Sequence, residues 1–222
     1  MKGKIVALII ILIVLADQCL KFYIKRHYLI GEFHYVLGSW FRLLFVENEG
    51  MAYGWSFGGN WGKMILTLFR LGAVIFGVWY LRSIIKKKYH FGFIICAALI
   101  FAGALGNLID SMFYGMIFEE STQFHVAAFL PKEGYASFMH GRVVDMLYFP
   151  IIRDTHFPGW FPIWGGEDFE FFRPIFNLAD ASISIGVIAI LLFQKKFFRQ
   201  HSPTNIHPEV ESEKALPDNA SA

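Results

Sequence analysis

Four long apolar runs, 5–24, 64–81, 91–108 and 175–193, constrain this chain more than any other feature. A helix needs about 20 such residues to cross a hydrocarbon core about 30 Å thick, and each run has close to that length. The chain between them is too short to wrap four helices of this kind inside a soluble core. The pattern therefore predicts an all-α membrane bundle of four transmembrane helices. Composition agrees: 55% of the 222 residues are hydrophobic and only 17% charged, outside the usual range for a soluble domain. A formal net charge of +2 gives no basis for nucleic-acid binding. Cys19 and Cys96 lie inside apolar runs, which argues against a disulfide framework. Neither has a ligand-type neighbour pattern, so no metal and no cofactor are expected.

Basic residues near the run ends set the orientation. Lys2 and Lys4 precede the first run, Arg82, Lys86, Lys87 and Lys88 fill the link between the second and third, and Lys195, Lys196 and Arg199 follow the fourth. These flanks predict cytoplasmic termini and two external connections, 25–63 and 109–174, although Lys25 and Arg26 run against the rule locally. The N-terminus has the basic start and apolar centre of a secretory signal. However, Cys19 follows Asp17 and Gln18 rather than small residues, and the run continues through Leu20, Phe22, Tyr23 and Ile24. An uncleaved first helix is expected.

The connections differ in character. Segment 33–57 mixes aromatic and branched residues with glycine-bearing turns, as expected of a small external antiparallel β-sheet at the membrane surface. Segment 111–174 is aromatic and rich in Gly and Pro, with Trp160 and Trp164 suited to the interface. Residues 1–200 are expected to form one membrane domain with an external loop extension. Residues 201–222, polar and proline-bearing, are expected to be a disordered cytoplasmic tail.

Placed by depth, the polar residues of the runs gather at the outer end. Asp17 and Lys21 lie in the outward half of the first run, Asn107 and Asp110 at the end of the third, and Asn177 and Asp180 in the first turns of the fourth. Spacings of three and four put these partners on shared helix faces. An ionisable group in a bilayer costs about 3 kcal/mol on insertion scales, so such clustering points to function. Asp17 with Lys21 fits a structural ion pair better than a catalytic one. Asn107 fits a helix-joining hydrogen bond as well as a substrate contact, and Gly103 and Gly106 fit close packing as well as room for substrate. Arg70 has no acidic neighbour in its own helix, and Asp110 is its expected partner. Glu119, Glu120, Glu167, Asp168 and Glu170 read as solvated loop charge.

Asp145 stands in RVVDMLYF, an apolar, β-prone setting where a lone surface carboxylate is out of place. A structural turn aspartate is the plainer alternative. If Asp145 meets Asp180, the two like charges share one proton. Such a pair supplies both acid and base for peptide hydrolysis. Neither an H-E-x-x-H nor a G-x-x-x-x-G-K-[ST] motif occurs, and GxGD is absent. A small transporter or proton-relay component using the same carboxylates is the alternative. It calls for polar residues across the midplane, whereas the inward halves are almost purely apolar, with Arg70 the deepest exception.

Five motifs occur in order: ADQCLK (16–21), VENEGMAYG (46–54), GALGNLID (103–110), GRVVDML (141–147) and FNLADASISIG (176–186). Together they resemble those of the lipoprotein signal peptidase (signal peptidase II) family along nearly the whole membrane core. The resemblance implies an aspartic endopeptidase of the bacterial inner membrane with its site near the external face. Its substrates would be diacylglyceryl-modified prolipoproteins, cut on the amino side of the lipidated cysteine. Asp145 and Asp180 match the family's catalytic pair. Asp17, Lys21, Asn48, Gly50, Asn107, Asp110, Asn177 and Ala179, with Arg142, match positions that shape or line the site. Membrane lipid and globomycin-type inhibitors are further partners the resemblance implies, and the external sheet would cradle the peptide. The chain departs from the family pattern at Ser111, where an arginine is common; that role is either unfilled or passes to another residue such as Arg70 or Arg142. Segments 111–140 and 148–173 are also longer than the compact pattern, as a lid, a partner surface or a neutral elaboration.

Overall fold

Backbone amides in hydrocarbon must be satisfied within their own segment, so apolar runs of this length become helices. A computed structural model describes residues 2–49, 59–150, 152–156, 160, 168–171 and 175–199. The runs form α1 (Lys2–His27), α2 (Gly59–Lys86), α3 (Phe91–Ile109) and α5 (Leu178–Phe198). After α3 the chain continues through a π turn, Asp110–Tyr114, and a short turn, α4 (Gly115–Ile117). All four long helices are long and apolar enough to cross a membrane.

The central helix is α3: 56% of its most apolar stretch is buried, against 17% in each of the other three. Those three turn large side chains outward, such as Leu12 and Leu15 on α1, Phe69 and Trp79 on α2, and Leu191 and Leu192 on α5. Lipid is as apolar as these side chains, so helix association here depends on close packing instead. A Cβ on Gly103 would lie 2.2 Å from the Ala179 carbonyl oxygen, and one on Gly106 2.8 Å from Asp17 Oδ2. Both glycines therefore serve close approach, of α3 to α5 and of α3 to α1. Ser182 Oγ seals the α3–α5 contact by donating to the Leu99 carbonyl at 2.7 Å.

At the end of the bundle where α1 and α3 finish, β1 (Phe33–Leu37), β2 (Phe41–Asn48), β3 (Val143–Tyr148) and β6 (Ile175–Phe176) form an antiparallel sheet in the order β1-β2-β3-β6. Its register places Asn48 opposite Val143, Val46 opposite Asp145 and Leu147 opposite Phe176. Every residue of β3 is buried. Val144 and Met146 point into an apolar cluster with Ile24, Tyr28, Phe45, Tyr114 and Phe118, and strand alternation turns Asp145 to the opposite face. Two further strands, β4 (Ile152–His156) and β5 (Asp168–Phe171), pair antiparallel with each other.

The structure corrects the expected helix ends. The fourth helix starts at Leu178 rather than 175, because the apolar Ile175 and Phe176 pair with β3. The first two helices extend past 5–24 and 64–81 because polar residues in their extra turns find partners. Lys25 pairs with Glu47, and Lys63 Nζ donates to the Glu49 carbonyl at 2.6 Å. Trp160 is 79% exposed. Gly50, Trp164, Glu167 and residues 201–222 lie outside the described residues, as do the side chains of Asp168 and Glu170.

Candidate active site

The deepest part of the site is an ionic core that uses up its own hydrogen-bonding capacity. Lys21, fully buried, has three ammonium protons and three acceptors: Asp17 Oδ2 at 2.8 Å, Asp110 Oδ2 at 2.7 Å and Asn107 Oδ1 at 2.9 Å. Asp17 Oδ1 accepts the Ala179 N–H at 2.9 Å, tying α1 to the first turn of α5. Gln18 Nε2 donates to Asp110 Oδ1 at 2.9 Å, and its Oε1 accepts from the Tyr114 hydroxyl at 3.1 Å. With all three Lys21 protons donated, these groups hold elements together and leave no ammonium proton to direct at a reactant. The expected Asp17–Lys21 ion pair is therefore present, widened to include Asp110.

Two amides connect this core to two further carboxylates. Asn107 Nδ2 donates to Asp180 Oδ1 at 2.7 Å while its Oδ1 accepts from Lys21. Asn177 is the N-cap of α5, accepting the Asp180 N–H at 2.9 Å, the bond that an asparagine is suited to supply there. Its Nδ2 donates to Asp145 Oδ1 at 2.7 Å and also reaches Asn107 Oδ1 at 3.1 Å. On the other side of Asp145, Asn48 Nδ2 lies 3.3 Å from Oδ2. Asp145 is 4% exposed, whereas Asp180 is half-buried.

The charge environment of Asp145 reflects both its burial and its neighbour Asp180. Burial, and then the nearby charge of Asp180, push the Asp145 carboxyl from 3.8 up to about 7, against the opposing pull of Asn48, Lys21 and Asn177. A second carboxylate beside a buried one produces this effect, since both cannot ionise cheaply.

Asp17, Lys21, Asn48, Asn107, Asp110, Asn177, Ala179, Asp145 and Asp180 thus converge at one end of the bundle. Arg142 stands to the side: it contacts Glu47 at 3.3 Å, Glu120 at 3.2 Å and Glu49 at 3.5 Å. The same Glu47 pairs with the fully buried Lys25 and accepts from Ser121 Oγ at 3.0 Å, so this network braces β2, the strand that carries Asn48. Glu120 is exposed, as expected of a solvated loop charge, and also pairs with Arg142, while Glu119, partly buried, lies with His125 at 2.9 Å. Arg70 lies within electrostatic range of Asp110 as expected. Even so, Asp110 forms its ion pair with Lys21, and Arg70 Nη1 donates to Ser111 Oγ at 2.7 Å.

Sequence reasoning missed Gln18, Lys25, Glu47, Lys63 and Thr67. A signal was present for two of them. Lys63, Thr67 and Arg70 recur at four and three residues, one polar stripe along an otherwise apolar helix. Thr67 Oγ1 uses it to donate to the Met139 carbonyl at 2.9 Å.

Comparison with known proteins points the same way. The chain is 45% identical over 192 residues to a lipoprotein signal peptidase of Porphyromonas gingivalis, covering 86% of this chain and 83% of that one. It is 33% identical to a lipoprotein signal peptidase of Amoebophilus asiaticus, covering 86% and 78%. Two solved structures, each described as a bacterial membrane enzyme determined by the in meso method, share the fold. The first has a TM-score of 0.56 at 24% identity, over 92% of this chain and 95% of that one. The second has 0.55 at 25% identity, over 87% and 94%. None of these relatives is a transporter, and the proton-relay alternative gains no support. The family model for signal peptidase (SPase) II matches residues 9–196, and with a bundle of four long apolar helices and a small sheet carrying the motif residues, the chain belongs to the signal peptidase II family of proteases.

Proposed function

We propose that this protein is an aspartic endopeptidase that removes signal peptides from diacylglyceryl-modified prolipoproteins, with Asp145 and Asp180 as its catalytic pair. The observation that carries this reading is Asn177, which holds Asp145 through Nδ2 at 2.7 Å and caps the helix start at Asp180 through Oδ1 at 2.9 Å. Asp145, pushed up to about 7, holds a proton for about half of the time at neutral pH and more below it, which suits it to the acid role, with Asp180 as the base.

Hydrolysis then follows from the two protonation states. Asp180 takes a proton from water as the water oxygen bonds to the scissile carbonyl carbon. Asp145 gives its proton to the carbonyl oxygen, producing a gem-diol. On collapse the C–N bond breaks, Asp180 passes its proton to the leaving nitrogen, and Asp145 regains one from a diol hydroxyl. Lys21, Asp17, Asp110 and Asn107 fix the frame. The pair lies where the helices meet the sheet, so a substrate still anchored in lipid reaches it at the membrane surface. Basic flanks at Lys2, Lys4 and Lys86–Lys88 support an inner-membrane orientation with both termini in the cytoplasm and the site on the external face.

The substrate class is tested with purified protein in detergent and matched lipobox peptides, one bearing diacylglycerol on the cysteine and one unmodified. Mass spectrometry should find cleavage of the modified peptide only, on the amino side of the cysteine. Equal cleavage of the unmodified peptide would contradict the assignment.

A further inference from the structure

Among the described residues the cations around the catalytic pair are mostly committed elsewhere. Lys21 directs its ammonium to Asp17, Asp110 and Asn107. Lys63 directs its own to the Glu49 carbonyl. Arg142 is held by Glu47, Glu49 and Glu120. Arg70 enters from α2, half-buried, bonded to Ser111 and within electrostatic range of Asp180, Asp110 and Asp145.

A hydrogen-bonded path joins it to the pair. Arg70 Nη1 donates to Ser111 Oγ at 2.7 Å, and the fully buried Ser111 donates its own proton to the Asn107 carbonyl at 2.9 Å. Asn107 Nδ2 in turn holds Asp180 Oδ1 at 2.7 Å. A guanidinium stays charged at any pH of interest. A charge so deep in an otherwise lipid-facing helix is costly unless it has a task.

We propose that Arg70, seated on Ser111, is a positioning residue for the peptidase reaction: it holds a fixed positive charge toward Asp180 and so keeps the carboxylate pair singly protonated in the working pH range. This rests on the catalytic assignment above. The charged groups around Arg70 and the pair are Lys21 from α1, which acts on Asp145 and is itself paired with Asp17 and Asp110, Lys63 from α2 and Asp110 at the end of α3, both of which act on Arg70, and Arg142, which acts on Lys63. A fixed cation favours the ionised form at both proton-loss steps of the pair, and its removal moves both steps to higher pH.

The test is the pH profile of kcat/KM for the diacylglyceryl-modified peptide. Arg70→Gln should move both limbs alkaline by about one pH unit, while Arg70→Lys keeps the wild-type limbs at reduced kcat. Arg70→Gln with lowered activity but unmoved limbs would overturn the proposal, since a merely structural role predicts that result. If Arg70→Gln fails to fold, Ser111→Ala decides: alkaline displacement supports the proposal and unmoved limbs overturn it. Asp180→Asn separates the two levels. Retained cleavage there refutes the catalytic pair itself, whereas lost cleavage with unmoved Arg70→Gln limbs refutes only the role of Arg70.

Discussion

Asn177 Nδ2 donates to Asp145 Oδ1 at 2.7 Å, joining the strand that carries one carboxylate to the cap of the helix that carries the other. A single side chain therefore fixes both the start of α5 and the seat of Asp145. Asn177→Ala should lower Tm in detergent by the loss of a cap worth about 1 kcal/mol and reduce cleavage at least 100-fold, about 2.7 kcal/mol in transition-state stabilisation. Asn177→Asp retains a good cap but sets a third carboxylate against Asp145. It should lose both stability, through a buried charge beside Asp145, and activity. Activity retained in Asn177→Asp would show that the amide has no part in aligning the pair.

Removal of Lys21 leaves two buried carboxylates, Asp17 and Asp110, without their counter-ion. Breaking a buried ionic cluster from one side costs about 3–5 kcal/mol. Lys21→Met should destabilise the protein by that order in thermal or denaturant unfolding. Adding Asp17→Asn and Asp110→Asn to it should recover a large part of the loss. A single variant as stable as wild type would contradict the role given to this core.

Two glycines in long helices should respond in opposite directions. At Gly103 an added Cβ meets the Ala179 carbonyl oxygen at 2.2 Å, while at Gly72 nothing lies within 4 Å. Gly103→Val should push α5 from α3, at a cost of about 1–3 kcal/mol, and displace Asp180 with it. Gly72→Ala should be neutral or stabilising by about 0.5–1 kcal/mol through helix propensity. Paired unfolding and cleavage measurements check both.

Asp145 also makes stability depend on pH. Its carboxyl is raised from 3.8 to about 7, chiefly by burial and Asp180, so the folded state holds a proton that the unfolded chain releases. This contribution is fully present below about pH 4 and is lost as pH rises to about 7. The wild type should therefore melt lower at pH 8 than at pH 5 by an increment that Asp145→Asn lacks. Identical pH dependence in the two proteins would contradict the burial argument.

Much of this architecture was legible in the sequence because lipid imposes a simple grammar: run length marked the four helices, and aromatic and branched residues with glycine-bearing turns marked β1 and β2. The clustering of Asp17, Lys21, Asn107, Asp110, Asn177 and Asp180 followed from depth alone. Long-range pairing was not legible. Nothing local distinguishes Ile175 and Phe176 from helix residues until β3 is beside them, although Asn177 followed by an aspartate three positions on is a capping signal. Lys25 looked like a stray external charge because its partner Glu47 is 22 residues away, across the hairpin. The approach of Arg70 to Ser111, 41 residues apart, depends on how α2 packs against α3, which periodicity does not encode.

The most direct test of the account is cleavage of the diacylglyceryl-modified lipobox peptide by Asp145→Asn and Asp180→Asn, each first shown by thermal unfolding to be folded. Each substitution should reduce turnover by about 1,000-fold or more, since neither acid nor base function survives alone. Substantial turnover by either folded variant would contradict the shared-proton pair.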